Sequence, residues 1–355
     1  MTPAELSRTV LHAVRRAVDA GQLSVTPPER VVVTPPGPGG CGDYATNVAL
    51  QLARPAGRTP LAVAEVLRPY LVGTDGITDV VVTGPGFLNF SLYDAAPVAL
   101  VQEILRRGSR YGFVDGPRSG QAGQGRGGAL IHCAHDVRAV VVMDAVARIL
   151  RSQGVPVLTR CAGHPHPEWE HIFGAGVDSV GSSPTQGATV LRPVPAPADP
   201  LPLGRDAGRW ALLHPAAHDR PLIGDEHLVQ RESNPLFRVR YAHARSRALV
   251  RNAADLGFGP EPGPVTAAGA QSLLAALADH PRVLAAAARH HAPDRLARHL
   301  VTVADAALPL LPTVLPRGAE KPSAAHRARL ALAEAAGTVL AGGLSLLGID
   351  APDHL

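Results

Sequence analysis

The sequence contains very little lysine, few aromatic residues and few cysteines. Lys321 is the single lysine among 34 basic residues, so nearly every cation is an arginine with a planar, five-donor head. Aromatic residues make up 4% of the chain, and the three cysteines have spacings that suit no disulfide framework. This cysteine usage indicates a reducing compartment, and we expect a cytoplasmic protein.

Long apolar runs are also missing. No stretch approaches the roughly 20 apolar residues that a membrane-spanning helix needs, and the N-terminus has an amphipathic helical pattern instead of a signal-peptide run. Hydrophobic residues make up 46% of the 355 residues, which is enough for several buried cores. The net charge of +4 permits an anionic partner without requiring one. We expect a globular protein that has neither a membrane nor DNA as its partner.

Two stretches without apolar periodicity separate three parts of the chain. The first stretch, 116–128, is rich in glycine, and the second stretch, 181–204, is rich in proline and glycine. The predicted architecture is multi-domain α+β, with an α+β domain, a Gly-rich linker, a reduced Rossmann-like β-α-β segment and an all-α bundle: 1–115, 116–128, 129–203 and 204–355.

The N-terminal part combines helices with β-rich runs. A strand is predicted at Arg30–Thr34, followed by a helix around Tyr44–Ala53. Two further β-rich runs, Ile77–Thr83 and Phe87–Tyr93, flank a Gly-Pro-Gly turn and predict a hairpin.

The middle part has one recognisable β-α-β unit. A short apolar strand precedes a helical pattern at Val137–Gln153, and a second strand is predicted at Val155–Arg160. A lone unit of this kind cannot bury both faces of its sheet. It must therefore pack on a neighbouring domain or on a protein partner.

The last part is helical in period almost throughout, which predicts a helix bundle. Asn234-Pro235 is a helix start signal, with asparagine as N-cap and proline in the first turn. Two flanks of this helix carry cations, one formed by Arg240, Arg247 and Arg251 and the other by Arg238, Tyr241 and Arg245. Later helices are predicted at Ala267–Asp279, Arg282–His290, Asp294–Leu311 and Ala324–Leu347.

Four segments in order resemble the arginyl-tRNA synthetase family. GDYATNVALQLARPAGRTP and GPGFLNF are similar to the N-terminal domain of that family, and GRDAGRWALL is similar to its GxDAxRYFLL run. NPLFRVRYAHARSRALVRNA resembles the helix that opens its DALR-type anticodon-binding bundle, which usually ends in LLGIxxPERM where this chain ends LLGIDAPDHL.

The resemblance implies tRNA contacts at both ends of the chain. Phe87 and Asn89 would meet the D-loop elbow, since RNA loop bases are held by aromatic stacking and by hydrogen bonds to their edges. Tyr241 would stack on a base near the anticodon, while the flanking arginines of its helix would pair with phosphates. The alternative is structural: Phe87 and Phe90 are then hairpin core residues, and the arginines only solvate a helix.

The middle resembles the segment that carries the HIGH-type adenylation signature of this family. HCAHDVRAVVVMDAVARIL retains its histidine pair, and the four signature positions are His132, Cys133, Ala134 and His135. Alanine replaces the glycine that lets the backbone approach ATP. Lys321, in the predicted bundle, is the only lysine available to a KMSKS-type loop, and 68 residues separate His135 from Gly204, too few for a complete doubly wound domain.

A group of histidines and cysteines in the middle has the composition of a metal site but none of the standard zinc spacings. We predict no metal site. The group comprises His132, Cys133, His135, Cys161, His164, His166 and His171.

Three functions are compatible with these patterns. The first is a protein that binds tRNA, with tRNA(Arg) the expected species, without aminoacylating it and without a cofactor. The second is a divergent arginine-tRNA ligase, the only case in which ATP would be bound. The third is an interaction subunit whose incomplete central sheet is covered by a protein partner.

Overall fold

The computed structural model describes residues 2–37, 39–74, 76–92, 95–114, 128–265, 267 and 269–355. The chain forms two compact units, Met1–Gln102 and Glu103–Leu355. The predicted linker 116–128 lies outside the described residues except for Gly128. Within the described ranges, no helix is long and apolar enough to cross a membrane.

The first unit opens with helix α1 (Pro3–Asp19), which begins with a capping box. The Thr2 hydroxyl accepts the Glu5 N–H, and the Glu5 carboxylate accepts the Thr2 N–H. These bonds satisfy donors that the first helical turn leaves open. Leu6, Val10 and Val14 lie on the buried face of α1 and contribute to the core of this unit.

An antiparallel sheet completes the first unit. Its strands β1 (Tyr44–Thr46), β2 (Ile77–Thr83) and β3 (Phe87–Leu92) have the order β1-β3-β2. Helices α2 (Val48–Ala56) and α3 (Pro60–Leu67) follow β1, and helix α4 (Ala95–Arg107) follows β3.

The predicted hairpin is confirmed, the predicted strand at Arg30–Thr34 is wrong, and the helix predicted around Tyr44–Ala53 is found as α2 with a later start. The predicted strand at Arg30–Thr34 forms only the bridge from Thr34 to Ala45. Tyr44 begins a strand instead of a helix, because β1 pairs with β3. Long-range strand pairing therefore outweighs the local helical pattern.

The second unit contains a four-stranded parallel sheet. Its strands are β4 (Ala129–Cys133), β5 (Val157–Cys161), β6 (Ser179–Val180) and β7 (Thr189–Leu191), in the order β6-β5-β4-β7. The β4-α5-β5 unit is confirmed, with α5 at Val137–Ser152. The last two strands fall at the end of the predicted middle part, where the sequence has no pattern. Strands of two or three residues are too short to show the alternation that marks a strand.

Helix α5 connects this sheet to the bundle. It packs on β4 and β5 on one side and on α7 (Gly204–Leu213) and α9 (Ala270–His290) on the other. Alternate sheet residues such as Ile131 and Cys161 are fully buried, whereas Leu158 on the opposite face is 63% exposed. The middle segment thus packs against the bundle, as expected for an incomplete sheet.

The bundle also contains α8 (Pro235–Asp255), α10 (Pro293–Ala307) and α11 (Ala324–Leu346). Two helices predicted around residue 280 are one helix, α9, which continues through Pro281. Proline at 281 cannot donate to the carbonyl of Leu277 one turn earlier. The Tyr111 hydroxyl donates to that carbonyl instead, at 3.3 Å, and so replaces the missing partner.

Candidate nucleic-acid interface

Helix α8 begins where the sequence predicts. Asn234 is its N-cap, with Oδ1 accepting the N–H groups of Leu236 and Phe237. The Asn234 Nδ2 donates to the carbonyls of His227 and Val229, so the cap also fixes the preceding loop. This double role sets the direction in which α8 leaves the loop.

One face of α8 is buried against α10 and α11. Val239, Ala242 and Ala253 are fully buried. Ser246 packs where α11 has Gly337, and an added Cβ at Gly337 would lie 2.9 Å from the Ser246 Cβ. Close packing on this side leaves the opposite side of α8 as its accessible surface.

Tyr241 lies on that accessible side and is 41% exposed. Its ring stacks on Phe237, with centroids 5.6 Å apart and planes 20° from parallel. Tyr241, Arg245 and Arg251 line an open cavity of about 180 Å³, together with the C-terminal residues Asp353 and Leu355. An exposed aromatic ring beside guanidinium groups can hold a base by stacking while a phosphate is neutralised nearby.

The predicted arginines of α8 differ in how far they are already engaged. Four have partners within the chain: Arg238 pairs with Asp305 at 3.5 Å, Arg240 with Asp206 at 3.4 Å and Arg247 with Asp353 at 3.2 Å, and Arg251 donates to the Asp353 carbonyl. Arg245 is exposed and forms no ion pair with any described residue. It is therefore the predicted cation most available to an RNA phosphate.

The hairpin of the first unit places its two predicted residues differently. Phe87 is 38% exposed where the hairpin turn meets β3. Asn89 is only 2% exposed, and its Nδ2 donates to the Thr83 hydroxyl at 2.7 Å and to the Val81 carbonyl at 3.2 Å. The Asn89 amide is thus bound inside the hairpin, and Phe87 is the member of the pair that an RNA base could reach. Phe90 is fully buried, as in the structural alternative.

Gly86 fixes how this hairpin turn sits. Its φ of 132° is one that side chains rarely adopt, and an added Cβ would lie 2.7 Å from the carbonyl carbon of Pro60. Only glycine allows the turn to approach the start of α3 so closely.

The adenylation-like positions, 132–135, span the end of β4 and the turn before α5. His132 and Cys133 are buried at the end of β4. Burial, and secondarily Arg160, lower the pKa of His132, whereas burial and the neighbouring Cys161 raise the pKa of Cys133. The His135 Nε2 lies 2.7 Å from the carbonyl of His164, and its ring is 5.3 Å from that of Trp169.

A carboxylate occupies the N-terminus of α5. Asp136 is the N-cap, and its Oδ1 accepts the Ala139 N–H at 3.0 Å. A helix N-terminus favours anions because its N–H groups lack partners. Here the Asp136 carboxylate uses one of these donors and adds negative charge where a nucleotide phosphate would bind.

Arg138 has a role that the sequence patterns do not indicate. Its side chain is fully buried, and it forms five hydrogen bonds to backbone carbonyls. The acceptors are Leu212, Val194, Asp219, Pro215 and Ala216. Since an arginine has five N–H donors, every one has a partner. Arg138 therefore ties α5 to the loop after α7.

Arg209 is a second buried arginine missed by the sequence analysis. It donates to Asp144 of α5 at 2.5 Å, to the Phe173 carbonyl at 2.7 Å and to the Leu347 carbonyl at 2.7 Å. The position of Gly348 lets the guanidinium lie against the backbone there, because an added Cβ would overlap it. The only sequence signal for this site is a single arginine among the buried residues of an amphipathic helix.

Within the described residues, no group of three or more histidine, cysteine or acidic side chains could hold a metal ion. The histidines and cysteines of the middle part are dispersed among β4, β5, the loops that follow them and helix α6 (Pro167–Phe173), which contains His171.

Two family models match the chain at its ends. The arginyl tRNA synthetase N-terminal domain matches residues 4–92, and the DALR anticodon binding domain matches residues 239–355. The second match includes most of α8 and the whole lining of the Tyr241 cavity. These matches define a protein with the terminal domains of an aminoacyl-tRNA synthetase.

The chain is also similar to arginine–tRNA ligases. The chain is 27% identical to the arginine–tRNA ligase of Renibacterium salmoninarum over an alignment of 565 positions that covers all of both chains. It is 41% identical to that of Frankia alni over 163 residues, which are 44% of this chain and 29% of the relative. The chain belongs to the arginyl-tRNA synthetase family.

Solved structures support the fold. The Thermus thermophilus arginyl-tRNA synthetase has a TM-score of 0.68 at 16% identity, with complete coverage of both chains. The arginyl-tRNA synthetase from Plasmodium falciparum has a TM-score of 0.69 at 9% identity and 99% coverage of each. The predicted combination of a mixed α/β fold with a DALR-type helical bundle is thereby confirmed.

Proposed function

We propose that this protein binds tRNA in the cytoplasm, with tRNA(Arg) as its preferred species, and does not aminoacylate it. The observation that carries the proposal is the exposed Tyr241 ring beside the unpaired Arg245, at the mouth of a cavity in the DALR-type bundle. Both side chains are exposed at the surface of α8. Both have the chemistry that an unpaired RNA base and its phosphate require.

The first unit supplies the second proposed contact. Phe87 presents an aromatic ring at the surface of a hairpin that Asn89 holds from within. We expect the ring to stack on an unpaired base, which suits the elbow of a folded tRNA better than a regular duplex.

Three features of the second unit argue against adenylation. Ala134 replaces the glycine of the adenylation signature, and the Asp136 carboxylate caps the helix whose N-terminus would receive phosphate. Lys321, the single lysine, lies just before α11 and is exposed there. Arginine does not replace a compact lysine ammonium where a loop must close on phosphates.

The length of the chain supports the same proposal. The alignment with the R. salmoninarum ligase has 565 positions and the chain has 355 residues, so at least 210 positions have no residue here. Family models match residues 4–92 and 239–355, so we infer that most of the difference falls between these ranges. The parallel sheet correspondingly has four strands, two of them no longer than three residues.

Binding is tested by titrating labelled tRNA(Arg) with purified protein at a fixed moderate salt concentration. An unrelated tRNA serves as the control, because phosphate contacts alone would bind both equally. We expect tRNA(Arg) to bind more tightly. Equal affinities would refute the preference for tRNA(Arg), and absence of binding to either RNA would refute the proposal as a whole.

The second candidate function is a divergent arginine–tRNA ligase that uses ATP. The names of the full-length relatives and the retained pair His132 and His135 favour it. Arginine-dependent exchange between ATP and pyrophosphate, measured with tRNA present, separates the two candidates. We expect no exchange above the protein-free rate, and exchange that depends on arginine would establish the ligase.

A protein partner over the central sheet remains a prediction. Leu158, which is 63% exposed on the face away from α5, is the side chain that such a partner would cover.

A further inference from the structure

The last residues of the chain form a tail that lies along α8. We define the C-terminal tail as Gly348–Leu355. It is held by the Asp350 N–H, which donates to Asp206 at 3.0 Å, and by the Pro352 carbonyl, which lies 3.1 Å from the Nδ1 of the buried His243. Beyond Pro352 the tail is exposed.

Asp353 places negative charge on the predicted RNA surface. Its carboxylate lies 3.2 Å from the Nε of Arg247, and its carbonyl accepts from Arg251 at 3.2 Å. The side chains of Arg247 and Asp353 are 43% and 49% exposed. The Asp353 carboxylate thus occupies the position at which Arg247 would receive a phosphate.

We propose that Asp353 is a built-in competitor of RNA, and that tRNA must displace its carboxylate to engage Arg247. The inference rests on the proposed tRNA binding and concerns regulation of the same surface. Its effect is to lower affinity for any polyanion that does not also fill the Tyr241 cavity. A correct tRNA gains the stacking contact as it displaces the carboxylate, whereas a nonspecific RNA only exchanges one anion for another.

The geometry makes the displacement feasible. Exposed ion pairs are weak because water and salt screen them. Leu355 is 52% exposed, so its side chain gives the end of the tail little apolar anchorage. Asp353 directly follows the anchor at Pro352 and is exposed, so it can move without disturbing that anchor. Arg247 also lies near Glu334 of α11, so removal of Asp353 frees Arg247 only in part.

The test compares wild-type protein with D353N and D350N in titrations of labelled tRNA(Arg) over a series of salt concentrations. Asp350 is the matched control, because it lies in the same tail and forms no ion pair with a described residue. D353N should bind about two- to fivefold more tightly at low salt, as expected for release of one exposed pair. This advantage should shrink as the salt concentration rises, because salt screens the exposed Arg247–Asp353 pair that only the wild type has to break. D350N should match the wild type.

A double-mutant cycle identifies the partner. In an R247Q background, the substitution D353N should no longer tighten binding, since the masked cation is gone. If D353N binds no more tightly than the wild type, or if D350N tightens binding equally, the competitor role of Asp353 is overturned. Failure of the wild type to bind tRNA is a different result, which refutes the proposed function itself.

Discussion

Replacement of Arg138 by methionine should strongly destabilise the second unit. The methionine side chain fills part of the space but offers no donor, so five backbone carbonyls lose their partner. Each carbonyl that remains buried without a hydrogen bond costs about 1–3 kcal/mol. Several of these carbonyls belong to the loop at 215–219, which can open to water, so the costs do not simply add.

The net loss is expected near 4 kcal/mol, at the upper end of the effects of single substitutions, which are mostly about 0.5–3 kcal/mol. That is a large part of the roughly 5–15 kcal/mol that stabilises a typical domain. At roughly 2–4 °C per kcal/mol for a unit of this size, the midpoint of thermal unfolding should fall by about 10 °C. The midpoint of Arg138→Lys should lie between those of the wild type and Arg138→Met, because an ammonium group has three donors instead of five.

Tryptophan fluorescence during urea unfolding is a suitable assay. Both tryptophans of the chain, Trp169 and Trp210, lie in the second unit, and Trp210 is fully buried. The emission therefore reports on the unit that contains Arg138. Arg295→Met, at an exposed position on α10, removes the same charge without breaking a buried network. If the two methionine variants had similar urea midpoints, the five hydrogen bonds from Arg138 to backbone carbonyls would not have the stabilising role we assign to them.

Three further outcomes are expected. Tyr241→Leu should weaken tRNA binding roughly 5- to 150-fold in gel-shift titrations, because a base loses its stacking partner. Tyr241→Phe should retain binding, and equal losses of affinity in the two variants would exclude stacking. Burial lowers the pKa of His299 to about 4 from its ordinary 6.5, so the imidazole binds a proton more readily in the unfolded chain than in the folded one. About 3 kcal/mol of stability should therefore be lost between pH 6.5 and 4 in urea titrations. His280, also buried with a lowered pKa, should add to this loss, and His299→Leu should flatten the pH dependence of stability. Gly348→Ala should lower the thermal midpoint of the second unit, since φ is 71° and the new Cβ would overlap Arg209; an unchanged midpoint would contradict that packing.

Local patterns predict the elements whose signals are local. The start of α8 at Asn234-Pro235 was predictable because capping and proline preference act within a few residues. The β4-α5-β5 order and the β2-β3 hairpin were predictable for the same reason, since strand alternation and helical period are visible in short windows.

Other features depend on residues far apart in the chain. The continuity of α9 through Pro281 depends on a hydroxyl supplied by Tyr111, which no pattern around residue 281 reveals. The engagement of Arg247 by Asp353 joins positions 106 residues apart. Asn89 illustrates the limit within a site, because its alternation with Phe87 predicts a shared face but not which of the two side chains is buried.

The motifs that resemble the family are not equally informative about function. Arg138 follows the adenylation-like histidines, Arg209 lies in the GRDAGRWALL segment, and Gly348 lies in the LLGID segment. Arg138 ties α5 to the loop after α7, while Arg209 joins Asp144 of α5 to the backbone beside Gly348.

Folding alone therefore accounts for those residues, and their presence is no argument for catalysis. Tyr241 and Arg245 differ, because both side chains are exposed. An exposed aromatic ring beside a cation is stronger evidence for a binding function than a buried residue in a catalytic-type segment. The surface around Tyr241 and Arg245 is accordingly where the function of this chain should be sought first.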